Sequence, residues 1–135
     1  MTGGPGDEGP VDPADVGQVT AVLSAALGAA GVEAVADLAA RIPGARVLPG
    51  SAAGFLRPAT PATLWVGPEH AFTLTDSVEH RHVVGGVVLS RDPVPPARVA
   101  ALIAPLLVRL VTDQGAQAEA ALVLTAAREV YAAME

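Results

Sequence analysis

All three histidines of the 135-residue chain, His70, His80 and His82, fall within one stretch of thirteen residues. Imidazole is the side chain whose ordinary titration lies nearest neutral pH, so a cluster of rings suggests three chemistries. It can hold a divalent metal such as Zn²⁺ with an open fourth position. It can move protons as a general acid and base. It can act as a proton-driven switch at an interface. Each requires the rings to share a face. The segments Glu69–Thr75 and Val78–Ser90 are rich in β-formers and flank Asp76-Ser77, which reads as a hairpin. Alternation along the strands puts His70 with Phe72 and Leu74, and His80 and His82 with Val78 and Val84, opposite Glu79 and Arg81.

Turn length decides whether the faces match. A three-residue loop at Thr75–Ser77 pairs Leu74 with Val78, Phe72 with His80, and His70 with His82. A two-residue loop would turn His70 to the other side, because a slip of one residue inverts parity. Apolar matching selects the longer loop. The metal set would then be His70, His80 and His82, with Glu79 or Asp76 as the neighbouring carboxylate. A divalent ion is the only cofactor the residues suggest.

Other constellations carry less. Asp76, Ser77 and His80 supply the residue types of a serine triad. Their closeness along one hairpin is not an arrangement in which the base bridges nucleophile and carboxylate, and there is no G-x-S-x-G elbow. Gly3-Gly4-Pro5-Gly6 follows no strand, and Gly85-Gly86 opens no helix, so neither is a phosphate cradle. Gly85-Gly86 reads as a bulge inside a long strand, after which Val87 and Leu89 take over the inward face. Phe55 and Trp65 are scarce large side chains in a Pro/Gly-rich region. They are the candidate interface anchors, although a lone Trp more often fills a core.

Composition limits the function classes. Half the residues are hydrophobic but only 3% are aromatic, so the core is built from Ala, Val and Leu. Lys, Asn and Cys are absent while Ala, Gly, Pro and Arg abound, the coding bias of a GC-rich bacterial genome. Without Cys there is no disulfide frame, thiolate nucleophile or thiolate metal site. The net charge is −6 and the eight Arg are scattered, which disfavours nucleic acid and anionic membrane surfaces as partners. The N-terminus lacks the charged and apolar regions of a secretory signal. The longest strongly apolar run, Val99 to Val111, contains Pro105 and Arg109 and is shorter than the ~20 residues a spanning helix needs. These features predict a soluble, cytoplasmic protein.

The elements that must position the histidines follow from pattern. Residues 1–11 are Gly, Pro and acid and are expected to form a disordered tail. The remaining residues, 12–135, form a single domain. Asp12-Pro13 is a helix start, followed by Val16, Val19, Leu23 and Leu27 at helical spacing. The stripe continues through Val32, Val35, Leu38 and Ile42, either unbroken or broken at Gly31, and stops at Pro43-Gly44. Short extended pieces fit Arg46–Leu48, Phe55–Arg57 and Thr63–Val66. Beyond the hairpin, Arg91-Asp92-Pro93 ends the sheet. A helix begins at Pro95-Pro96, interrupted or kinked at Pro105. Gly115 separates a last helix, Ala116 to about Met134, whose stripe is Leu122, Ala126, Val130 and Ala133.

The fold class implied is α+β: an antiparallel sheet of three to four strands, with N-terminal and C-terminal helices packed on one face. Lacking catalytic motifs and rich in small-residue helices, the chain reads as a non-enzymatic protein-interaction module. An adaptor, chaperone-like or regulatory protein fits, homodimeric and binding another protein. The alternative is a small enzyme or metal-binding protein using the histidine face.

Overall fold

The computed structural model describes residues 9–50, 54–55, 61–75 and 77–134. Helix α1 (Val16–Ala39) is followed by five strands: β1 (Ala45–Leu48), β2 (Ala62–Val66), β3 (His70–Leu74), β4 (Val78–Val84) and β5 (Val87–Val94). A short 3₁₀ turn (Pro96–Arg98) leads into α2 (Val99–Gln114) and α3 (Gln117–Ala133). The strands form an antiparallel meander in the order β1-β2-β3-β4-β5. The fold is therefore α+β, with one strand more than the upper count expected.

The extra strand comes from Gly85-Gly86. Instead of a bulge within one long strand, the pair forms a tight turn flanked by Val84 and Val87, which are opposite each other. Both glycines have positive φ, 58° and 82°. That is the backbone of the two-residue turn whose twist matches a hairpin. Strand β5 then continues to Val94, past the point where Arg91-Asp92-Pro93 was expected to end the sheet. Val87 and Leu89 do not take over the inward face; each is 60% exposed. A bulge does exist close by on β5: the single step from His82 to Val83 on β4 matches two steps from Ser90 to Val88, leaving Leu89 without a partner on β4.

Alternation on the strands makes one face of the sheet apolar. Leu64, Val66, Phe72, Val78 and Val94 join Val19, Leu23, Val35, Ile103, Leu107 and Leu124 in a single core. Helix α1 is central in the helical layer and packs against both α2 and α3. Its N-cap is Asp15, whose carboxylate accepts from the Gln18 amide at 3.2 Å; the expected capping residue, Asp12, instead accepts from the Ala14 amide in the preceding turn. Gly31 breaks α1 with φ 82°, resolving the two expected alternatives in favour of a break. By contrast α2 runs through Pro105 without interruption.

Packing begins ahead of the expected domain start at residue 12. Val11 is buried in the core and its N–H donates to Thr125 Oγ1 at 2.9 Å. Arg128 donates to the Gly9 carbonyl at 2.8 Å. Helix α3 also presents a face other than the one expected. Ala120 and Leu124 are buried against α1, whereas Leu122, Ala126, Val130 and Ala133 face solvent. Helix α1, with mean hydropathy 1.7 in its most apolar stretch, is long and apolar enough by composition to cross a membrane. Nine of its residues are nonetheless buried within the domain. The apolar helix is thus α1 and not the expected run Val99 to Val111.

Candidate functional site

The histidine face forms because the loop at Thr75–Ser77 gives the register expected. His70 lies opposite His82 and Phe72 opposite His80. Asp76 lies outside the described residues; Ser77 is in the turn, its amide donating to Thr75 Oγ1 at 3.3 Å. All three histidines share the core side of the sheet with Phe72, toward its β4 end. Each is half-buried.

The rings form a stack. Phe72 and His80 lie 4.6 Å apart between centroids, His70 and His80 5.2 Å, and His70 and His82 4.9 Å, with interplanar angles from 7° to 23°. Within it His70 Nδ1 and His80 Nε2 are 3.0 Å apart, so one ring donates to the other. His82 Nε2 meets Glu69 Oε1 at 3.3 Å. The His70 and His80 nitrogens that meet are taken up by their contact with each other, and His82 Nε2 by Glu69. Among the described residues no group of three His, Cys, Asp or Glu side chains is placed to hold a metal ion. Among the described residues the carboxylates that act on His70 and His80 are Glu69 and Asp92, the latter opposite His80 on β5. Glu79, expected to help, is on the other face, where it binds Arg81 at 2.7 Å.

Burial pushes His70 below the usual histidine value. The neighbouring His80 and His82 push the same way, Glu69 opposes them, and Arg109 on α2 adds a smaller push downward. Burial likewise lowers His80, opposed by Asp92 and reinforced by His82. Both rings are therefore held toward the neutral form. His70 borders a 240 Å³ cleft between the β2–β3 turn and α2, lined also by Glu69, Arg109, Leu106 and Asp113. Such a face can share a proton between two imidazoles. A larger cleft of 810 Å³ lies elsewhere, between residues 9–11 and the facing ends of α1 and α3, with Gln18, Ala21 and Arg128 on its walls.

The two expected interface anchors separate. Phe55 is 98% exposed. Trp65 is half-buried and stays out of the core, on the face of the sheet away from the helices, opposite Arg46 and Ala71. Two further surfaces stand out, one whose exposure the sequence does not reveal and one it does not show at all. One is the solvent-facing stripe of α3, where Leu122 is 74% exposed, Val130 56% and Met134 57%. Its periodicity was visible, but a buried and an exposed stripe on one helix look alike in sequence. The other is the row of side chains that runs across the open face of the sheet through Trp65.

Comparison with known families, with curated proteins and with solved structures finds no match for this chain.

Proposed function

We propose that this chain is a non-enzymatic protein-interaction module of the adaptor, chaperone-like or regulatory kind, working in the cytoplasm as a homodimer paired through α3. The observation that carries the reading is the apolar stripe Leu122, Ala126, Val130, Ala133 that intramolecular packing leaves in solvent. Helix α3 has already buried its other face, through Ala120 and Leu124. A helix apolar on two sides is expected where a second helix covers the outer one. A two-fold axis brings the same stripe of a second copy onto it. Ala126 and Ala133 allow the backbones a close approach, while Leu122 and Val130 fill the space between them. Covering each of the large side chains contributes about 1–2 kcal/mol. The β5 edge is a weaker meeting place, because β5 carries a bulge and Pro93, both of which blunt strand pairing.

The histidine face is where a catalytic or metal-binding reading would have to live. A stack of half-buried, mutually bonded rings suits a structural role better.

Sedimentation velocity of the wild type and of Leu122→Glu tests the proposal. The wild type is expected at twice the chain mass at micromolar concentration, and the variant at the chain mass with an unchanged far-ultraviolet spectrum. A monomeric wild type, or a dimer that tolerates the glutamate, removes the reading.

A further inference from the structure

The eight arginines look scattered along the chain, but the meander aligns three of them. Arg46 lies opposite Trp65, Trp65 opposite Ala71, Ala71 opposite Arg81, and Arg81 opposite Arg91. One row of side chains thus crosses all five strands on the face away from the helices, reading Arg, Trp, Ala, Arg, Arg. We propose that this row is a binding site for an extended, acidic peptide segment of a partner protein.

Charge is the first argument. Arg81 is neutralised by Glu79 at 2.7 Å. Arg46 and Arg91 are exposed, and among the described residues neither has an acidic partner. Arg91 stands directly opposite Arg81, whose charge Glu79 already offsets, which leaves Arg46 and Arg91 as the two charges open to carboxylates of a ligand. The whole chain carries −6, so this row is a local positive stripe on a negative molecule.

Shape is the second. Trp65 and Arg81 stand on either side of Ala71, which is 2% exposed and, among the described residues, the one buried apolar side chain outside the main core. An apolar side chain of the ligand can rest on the Trp65 ring while carboxylates reach the arginines at either end. Adjacent strands are ~4.8 Å apart, so Arg46 and Arg91 bracket roughly 19 Å, the span of about six extended residues.

A peptide fits better than a nucleic acid. A polyanion with one phosphate per nucleotide meets the repulsion of the whole acidic chain and finds a single ring on which to stack. A segment with two or three carboxylates matches the row and little else. The site does not depend on pairing through α3.

Trp65 is the only tryptophan, so tryptophan emission, excited where Tyr131 does not absorb, reports this face alone. The probe is a blocked synthetic peptide carrying an Asp-Ser-Leu-Ser-Ser-Ser-Asp segment, whose leucine and two aspartates fall on one face of an extended chain long enough to span the row. The expected result is a saturable change in Trp65 emission. Affinity should fall about tenfold in the Arg46→Gln/Arg91→Gln double variant, the loss of two exposed charge contacts, and fall again with added salt. A lysine-for-aspartate peptide should leave the emission unchanged, and Leu122→Glu should bind as the wild type does, which separates this site from the dimer. The proposal is overturned if the acidic peptide produces no saturable change, if the double variant binds it equally well, or if an oligouridine of similar length binds more tightly than the peptide.

Discussion

His70 Nδ1 and His80 Nε2 face each other at 3.0 Å across the β3–β4 pair. Only an arrangement in which one ring keeps its proton and the other offers a lone pair satisfies that contact. Protonating the acceptor replaces the hydrogen bond with two donors pointed at each other. Around the pair stand His82, Glu69 and Arg109 for His70, and Asp92 and His82 for His80.

Acid should therefore destabilise the fold. Both rings are held below the ordinary histidine value of about 6.5, so the unfolded chain binds protons that the folded chain refuses. Stability is complete above that value and falls as pH drops from it toward the lowered folded values, where the loss levels off. Urea midpoints at about pH 7.5 and about pH 5 measure the difference across the histidine range. His80→Phe, which keeps a ring stacked on Phe72 and removes one titration, should flatten the dependence. An unchanged midpoint at the two pH values would show that the pair is not coupled to folding.

Phe72 and Leu122 separate core from surface. Phe72 is fully buried between the sheet and the helices, whereas Leu122 is 74% exposed. Phe72→Ala should cost about 3–5 kcal/mol through lost burial and a cavity beneath His80. Leu122→Ala should change the stability of the folded chain by no more than about 0.5 kcal/mol. Denaturant unfolding of both, at a concentration low enough to keep the chain monomeric, checks the contrast.

Gly44 and Gln114 should be energetically coupled. Gly44 has φ 91°, and a Cβ there would run into the Gln114 carboxamide. That carboxamide donates to the Pro43 carbonyl at 2.8 Å and ties the turn after α1 to the end of α2. Gly44→Ala pays backbone strain of about 1–2 kcal/mol and displaces a bond worth about 1 kcal/mol. Gln114→Ala already lacks the bond, so adding Gly44→Ala should cost only the strain. A double-mutant cycle measures the difference, and strictly additive effects would contradict the contact.

Alternation and parity made the histidine face legible in the sequence. Once Phe72 had to oppose an apolar or aromatic partner, the loop length and the placement of all three rings followed. The stacking was not legible, because it depends on χ angles that packing against α2 and the neighbouring strands decides. Glu79 was assigned to the neighbourhood of the rings by proximity along the chain, although its strand parity with Arg81 already put it on the other face. The arginine row was hidden because its members are separated by up to 45 positions, Arg46 to Arg91, and align only through the complete register of five strands. The α3 stripe was seen with the right period but assigned to the interior, since period alone does not say which of two apolar stripes is covered.

Gly85-Gly86 was the costliest misreading, and it yields the sharpest test of the strand count. A bulge and a two-residue turn place different demands on the second glycine. In a bulge within a continuing strand only one residue need be left-handed. Here both are, with φ 58° and 82°, and an added Cβ meets nothing within 4 Å at either position. Any cost of substitution is therefore conformational and not steric crowding. Asparagine tolerates the left-handed region and is favoured at the first position of such turns, so Gly85→Asn should be neutral or stabilising by up to about 1 kcal/mol. Valine does not, and Gly86→Val should destabilise by about 1–3 kcal/mol. Thermal unfolding of the two variants measures the asymmetry. Tolerance of valine at position 86 would argue that Val84 and Val87 do not flank a tight turn, and that β4 and β5 are one strand after all.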